Sequence, residues 1–397
     1  MKKIAKRIPV WTIILFSLFA GMKEIYASIP DKIYLDTNTE TVSDKLRLGN
    51  MIQLSDTIIV STNKSYTLEC SFLGIIPLKE IQVYDAKEEQ LAIGGKNIGV
   101  YMNYDGILVI DVQEIESKDG TMLSPSEKKL KKGDYIKAIN GKLVHTKEEL
   151  VDCVSKSEGK AITISFVRND IKKEVEITPV CAKDESYKLG VWVRDDSQGI
   201  GTITFIDKEG HFGALGHGVT DMDGNNLINI KNGELYTSKI LSIKRGEEGA
   251  PGELSGAIIY NEKEKIGIID KNTERGIFGN MDTEDISQYV EEWYDISYKE
   301  DIYPGKATIC CSTGDGVETY DIEIEEITLN SDIINKNFIF RVTDEALIEK
   351  TGGIVQGLSG SPIIQDGKLV GAVTHVLVND PTRGYGIFIE NMLDAAS

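Results

Sequence analysis

A mainly β chain built from several units is what the sequence predicts, and three observations carry that expectation. Glycine supplies 38 of 397 residues while aromatics make up 7%, a balance that suits strands joined by many turns. Short apolar runs recur between Gly and Asp/Asn turns at a spacing of roughly 8–12 residues. Near the C-terminus, Pro362-Ile363-Ile364 and Leu369-Val370-Gly371-Ala372-Val373 flank Gln365-Asp366-Gly367-Lys368, which reads as a hairpin. The length allows two or three domains.

The first residues read as an address. Met1-Lys2-Lys3-Ile4-Ala5-Lys6-Arg7 is basic, and residues 8–22 follow as an uncharged apolar run with Lys23-Glu24 behind it. That run is short for a membrane span and suits a signal-peptide core or an outward-facing anchor over residues 1–27. The net charge of −19 argues against a nucleic-acid partner, which needs a basic surface. The cysteines Cys70, Cys153, Cys181, Cys310 and Cys311 are odd in number and irregular in spacing. That argues against a zinc site and a disulfide framework, and adjacent Cys310-Cys311, in an alternating apolar stretch, read as buried thiols. No metal or cofactor is expected.

Residues 30–95 show strand signals at Thr57-Ile58-Ile59-Val60-Ser61 and again at 75–83, and read as a small β module without evident chemistry. Residues 96–180 form a second unit. A strand at 106–111 precedes a short helix at Ser124-Pro125, then Lys131-Lys132-Gly133-Asp134-Tyr135-Ile136-Lys137-Ala138-Ile139-Asn140-Gly141. A helix capped by Thr146 and an alternating strand at 161–168 follow. This order resembles a PDZ domain of the bacterial, protease-associated kind. The resemblance implies a groove in which an extended peptide or C-terminus adds as a strand, with Ile98, Gly99 and Val100 supplying the amides that hold a terminal carboxylate.

Residues 181–397 carry the chemistry. Gly357-Leu358-Ser359-Gly360-Ser361-Pro362 reads as the nucleophile turn of a serine peptidase. An attacking serine needs a tight turn whose amides, here those of Gly357 and Ser359, face the developing oxyanion. With the hairpin behind it, this predicts a chymotrypsin-like double β-barrel. The chain has four histidines, His145, His211, His217 and His375. Only His217 stands among small apolar residues with a glycine on each side, which suits a partly buried base. His145 and His211 read as exposed and His375 as structural. The acid is open on spacing: Asp344 at a strand end, Asp270, and Asp221 or Asp223 near His217 all compete, and Asp344 also reads as a helix cap.

The segments FGALGHGVTD and TGGIVQGLSGSPIIQDGKLVGAVTHVLVNDPTRGYGIFIE, with the PDZ-like unit before them, resemble the stage IV sporulation protein B peptidases of endospore-forming bacteria. The resemblance runs over essentially the whole chain and departs at Leu358 and Gly218. It implies a triad of His217, Asp344 and Ser359. It also implies export from the forespore into the space between the two spore membranes. There the enzyme would cleave its own chain and a membrane-anchored regulator, releasing processing of a late mother-cell sigma factor. A PDZ adaptor on an inactive peptidase fold and a general quality-control protease are the competing functions.

Overall fold

The computed structural model describes residues 65–86, 89–220, 226–281, 286–290 and 292–397 other than 332. Shorter described stretches lie at 21, 25–26, 29–35, 42–46, 52–54 and 59–61. The leader expected over residues 1–27 lies outside the described residues except at Gly21, Ile25 and Tyr26. Among the described residues no helix is long and apolar enough to cross a membrane.

Two closed six-stranded antiparallel barrels form the body. In the first, the C-terminal half of Val191–Ile206 pairs with His211–Ala214, which pairs with Gly276–Met281 and on to Lys265–Thr273. Ile230–Lys244 and the N-terminal half of Asn97–Val112 close the ring back to Val191–Ile206. Its core is Ile98, Val100, Met102, Ile203, Phe212, Leu235, Ile269 and Ile277. In the second, Gly305–Ser312, Val317–Ile327, Phe338–Val342, Asp380–Phe388, Lys368–Leu377 and Pro362–Gln365 pair in turn and close on Gly305–Ser312. Strict alternation shows why: Phe338, Phe340 and Val342 are buried while Ile339 and Arg341 face out. Cys311 is fully buried in this core, as its alternating apolar surroundings predict.

The PDZ-like unit is inserted into the first barrel and does not simply precede it. Asn97–Val112 and Val191–Ile206 are 16 residues each, and they pair along nearly their whole length. One half of each strand belongs to the barrel. The other half belongs to a separate core of Ile107, Val109, Ile136, Leu150, Val154, Ile164 and Phe166. The helix Lys147–Lys156 starts as expected: Thr146 Oγ1 accepts from the Glu149 amide, and Glu149 Oε2 accepts from the His145 amide. The expected boundaries at 96 and 180 therefore both move toward the C-terminus, into the middle of each long strand.

This corrects the reading of Ile98, Gly99 and Val100. They lie in the first residues of the strand Asn97–Val112, paired on one edge with 199–201 and on the other with 235–237. Their amides serve the barrel ladder, so no peptide can add there.

The N-terminal module is a five-stranded sheet around Ile33, Leu35, Leu68, Cys70, Ile81 and Val83. Of the expected strand at 57–61, Thr57 and Ile58 lie outside the described residues. Gln90–Ile93, expected at the end of this module, instead pairs with Trp293–Ile296 and with 205–206 beside the barrels.

In the inserted unit, Asp134 is fully buried and accepts from Arg168 Nε and Nη2, each at 2.6 Å, and from the Lys131 amide at 2.8 Å. Removing the guanidinium strands a buried carboxylate. Arg168→Met is expected to destabilise the unit by about 3 kcal/mol, read as a lower urea midpoint; an unchanged midpoint would contradict this.

Candidate active site

The nucleophile turn is shaped by its neighbours. Gly357 and Gly360 hold φ of 101° and 96°, a left-handed region that glycine enters without cost. A Cβ on Gly360 would sit 2.2 Å from the Thr202 carbonyl oxygen, so the turn lies flush on Val191–Ile206. From that strand, Thr202 Oγ1 donates to the Gly357 carbonyl at 2.9 Å, and the Thr202 amide to the Ser359 carbonyl at 3.1 Å. Thr204 Oγ1 donates to the Gly360 carbonyl at 2.7 Å.

Peptide planarity sets the direction of the Gly357 and Ser359 amides. The Leu358 carbonyl accepts from the Ser361 amide at 3.0 Å and from Ser361 Oγ at 2.6 Å, so the Ser359 N–H of the same peptide unit points the opposite way. The Gln356 carbonyl accepts from the Leu254 amide at 2.8 Å, which turns out the Gly357 N–H. Neither N–H has an acceptor among the described residues. These are two preset donors of the kind acyl transfer requires.

His217 follows a tight bend in which Leu215 and Gly216 have φ of 69° and 68°. Its Nδ1 lies 2.9 Å from the Gly218 carbonyl. A carbonyl only accepts, so Nδ1 carries the proton and Nε2 is left as the basic nitrogen. Burial pushes the His217 pKa down, and the Gly218 contact opposes this in part. His217 and Ser359 line one cleft between the barrels, with Gly357, Thr374, His375, Asn335 and Glu274. The Ser359 hydroxyl donates to the Thr374 carbonyl at 2.8 Å.

The third member expected for a triad is not in this cleft. Asp344 is the N-cap of the helix Glu345–Thr351: Oδ1 accepts from the Ala346 and Leu347 amides at 2.9 and 3.3 Å, and Oδ2 from the Asp321 amide at 3.3 Å. Local capping has claimed this carboxylate. Asp270 is exposed and accepts from Asn280 Nδ2 at 2.6 Å in a different cleft. Asp221 and Asp223 lie outside the described residues. What does face His217 is His375, the two rings 5.0 Å apart between centroids. Burial, then His217 and Lys336, hold His375 down to about 4. It is therefore a neutral wall of the cleft near pH 7. Its place next to the nucleophile hairpin and the scarcity of histidines were the available signals for it. The signal for Thr202 and Thr204 was the Thr-Ile-Thr alternation, which puts both hydroxyls on one face. His211 is exposed, with Nδ1 2.7 Å from Asp207 Oδ2 in a hairpin turn.

The inserted unit has a second groove. Leu150, Val151 and Val154 of the helix Lys147–Lys156 face Leu189, Gly190, Val191 and Trp192. At 191–194 the strand pairs with 108–112 on one edge; among the described residues its other edge has no strand partner. This is the geometry that admits an added strand. The sequence Tyr187-Lys188-Leu189-Gly190-Val191 was the overlooked signal for it.

The description of the SpoIVB peptidase S55 family matches residues 185–393. Among solved structures, the Rv3671c protease of M. tuberculosis in its active form is similar at 11% identity, covering 63% of this chain and 86% of its own, with a TM-score of 0.29. The HtrA-type protease AlgW with a decapeptide is similar at 12% identity, covering 51% of this chain and 53% of its own, TM-score 0.31. The PDZ domain of an SdrC-like protein from Listeria monocytogenes is similar at 24% identity, covering 23% of this chain and 88% of its own, TM-score 0.19.

Two outcomes follow from the cleft. A base must be neutral to take a proton, and burial lowers the His217 pKa. The kcat/KM for a peptide should stay level as pH falls through about 6.5, the ordinary imidazole value, and decline only below it. A limb centred above 7 would instead indicate a carboxylate beside the ring. Thr202→Val should lower kcat by roughly tenfold or more with KM little changed, because the oxyanion amides lose their brace; Thr202→Ser should retain most activity. Equal loss in both variants would contradict the role of the hydroxyl.

Proposed function

Because the chain belongs to the SpoIVB peptidase S55 family, we propose that its serine-peptidase chemistry is carried by Ser359 and His217 in the cleft between the barrels. Two outward amides beside a serine, with an imidazole whose free nitrogen is Nε2, support this most directly. On substrate binding the Ser359 hydroxyl leaves the Thr374 carbonyl and gives its proton to His217 Nε2. Ser359 Oγ attacks the scissile carbonyl, and the Gly357 and Ser359 amides take up the charge on its oxygen. His217 then protonates the leaving amine, and water repeats the sequence on the acyl-enzyme. The Gly218 carbonyl keeps the imidazole in the required tautomer throughout.

The biological reading rests on the family. The peptidase acts in sporulation signalling, cleaving its own chain and a membrane-anchored regulator to release late mother-cell sigma factor processing. It works in the space between the two spore membranes. The groove between Leu150, Val151 and Val154 on one side and the 191–194 edge on the other receives an extended peptide or C-terminus, which positions the substrate.

N-terminal sequencing of purified wild type beside Ser359→Ala tests the chemistry. Wild type should show one or a few new N-termini that the variant lacks. Identical patterns, with a candidate regulator left uncut by both, would remove the peptidase reading. Broad digestion of unfolded casein would favour quality control over signalling.

A further inference from the structure

The strands Ser65–Phe72 and Ile76–Asp85 form a hairpin whose turn carries the most exposed apolar run of the described chain. Leu73, Gly74, Ile75, Ile76 and Pro77 are consecutive and all exposed, with Ile75 at 81%. Residues 70–78 contain no charged side chain, in a protein that is 27% charged. Leu73 and Gly74 both adopt positive φ, 53° and 69°, and the Ile75 amide donates to the Phe72 carbonyl at 3.1 Å, so the turn is tight. An uninterrupted exposed apolar run is a liability unless something covers it.

The register says what lies at that end of the sheet. Lys32–Leu35 pairs in parallel with the hairpin's second strand, Lys32 opposite Gln82. Tracing the chain backward from Lys32 therefore leads toward the tip. Lys79, three residues beyond Ile76, donates to the Ile29 carbonyl at 2.8 Å, pairs with Asp31 at 2.8 Å, and lies 5.0 Å from the centre of the Tyr26 ring. The segment that precedes Tyr26 is the basic and then apolar sequence of residues 2–22. The tip and Tyr26, which follows the apolar run of residues 8–22 in the sequence, thus share one end of the module. Tyr26, half exposed beside them, is a residue type suited to the headgroup layer.

We propose that residues 73–77 are a membrane contact: an apolar wedge that enters the interface of the bilayer next to the N-terminal segment and fixes how the module stands on it. The proposal rests on the apolar character of residues 8–22 and is independent of the peptidase reading.

The test uses the full-length chain in phosphatidylcholine–phosphatidylglycerol vesicles. Ile75→Trp reports from the tip, and Ile171→Trp, an exposed site on the inserted unit, is the control. Difference emission against wild type removes the native tryptophans. Ile75→Trp should shift to the blue on vesicle addition and lose most of its added emission when the lipids are brominated, while Ile171→Trp does neither. Equal, water-like emission from both sites would overturn the proposal. A blue shift that brominated lipid does not quench would mean a protein surface covers the tip, and would also overturn it.

Discussion

Three hydrogen bonds from one strand hold the Gly357–Gly360 turn in place. Thr202 and Thr204 grip the carbonyls of Gly357, Ser359 and Gly360. Each carbonyl drawn toward the strand is one that does not compete for the cleft. Ser361 and Leu254 draw off the Leu358 and Gln356 carbonyls in the same way, and the two amides left over face the substrate side. The strand belongs to the first barrel and the turn to the second, so these bonds are also what fix one barrel against the other at the chemistry. His217, on the bend after His211–Ala214, is delivered to the same seam, since the Leu215 amide donates to the Thr202 carbonyl at 3.2 Å.

The same strand reaches the inserted unit. Its first residues, 191–193, form one wall of the groove against the helix Lys147–Lys156, and nine residues past Val193 it grips the nucleophile turn through Thr202. No linker separates the two units on this side. The unit is held by a two-stranded ladder, and the barrel cannot close without the strands that frame the groove. Asn97–Val112 plays the matching part on the other side, its first half buried between two partners in the barrel.

Much of this was legible from local chemistry. The tight turn read at Gly357 and Gly360 takes the positive φ that glycine allows, and the hairpin after it formed as its turn residues indicate. The Thr146 cap fell where read. The misreadings have a common cause: local sequence is compatible with two environments. Ile98-Gly99-Val100 has the small, apolar character of a carboxylate-binding loop and equally of a central barrel strand, and only pairing partners about a hundred residues away or more decide between them. Asp344 looks like a strand-end acid and like a helix cap; two amides of its own helix satisfy it first. His375 stood next to the nucleophile hairpin in the sequence, but that it faces His217 is decided by how the two barrels meet.

The central claim is that Ser359, and not Ser361 two residues on, is the nucleophile that His217 activates in a preset oxyanion site. Labelling with a fluorophosphonate, followed by mass spectrometry of the modified peptide, tests it most directly. The account predicts one phosphonyl adduct on Ser359 in the wild type, none in His217→Gln, and an adduct that persists in Asp344→Asn. An adduct on Ser361, or labelling that survives loss of the imidazole, would contradict it.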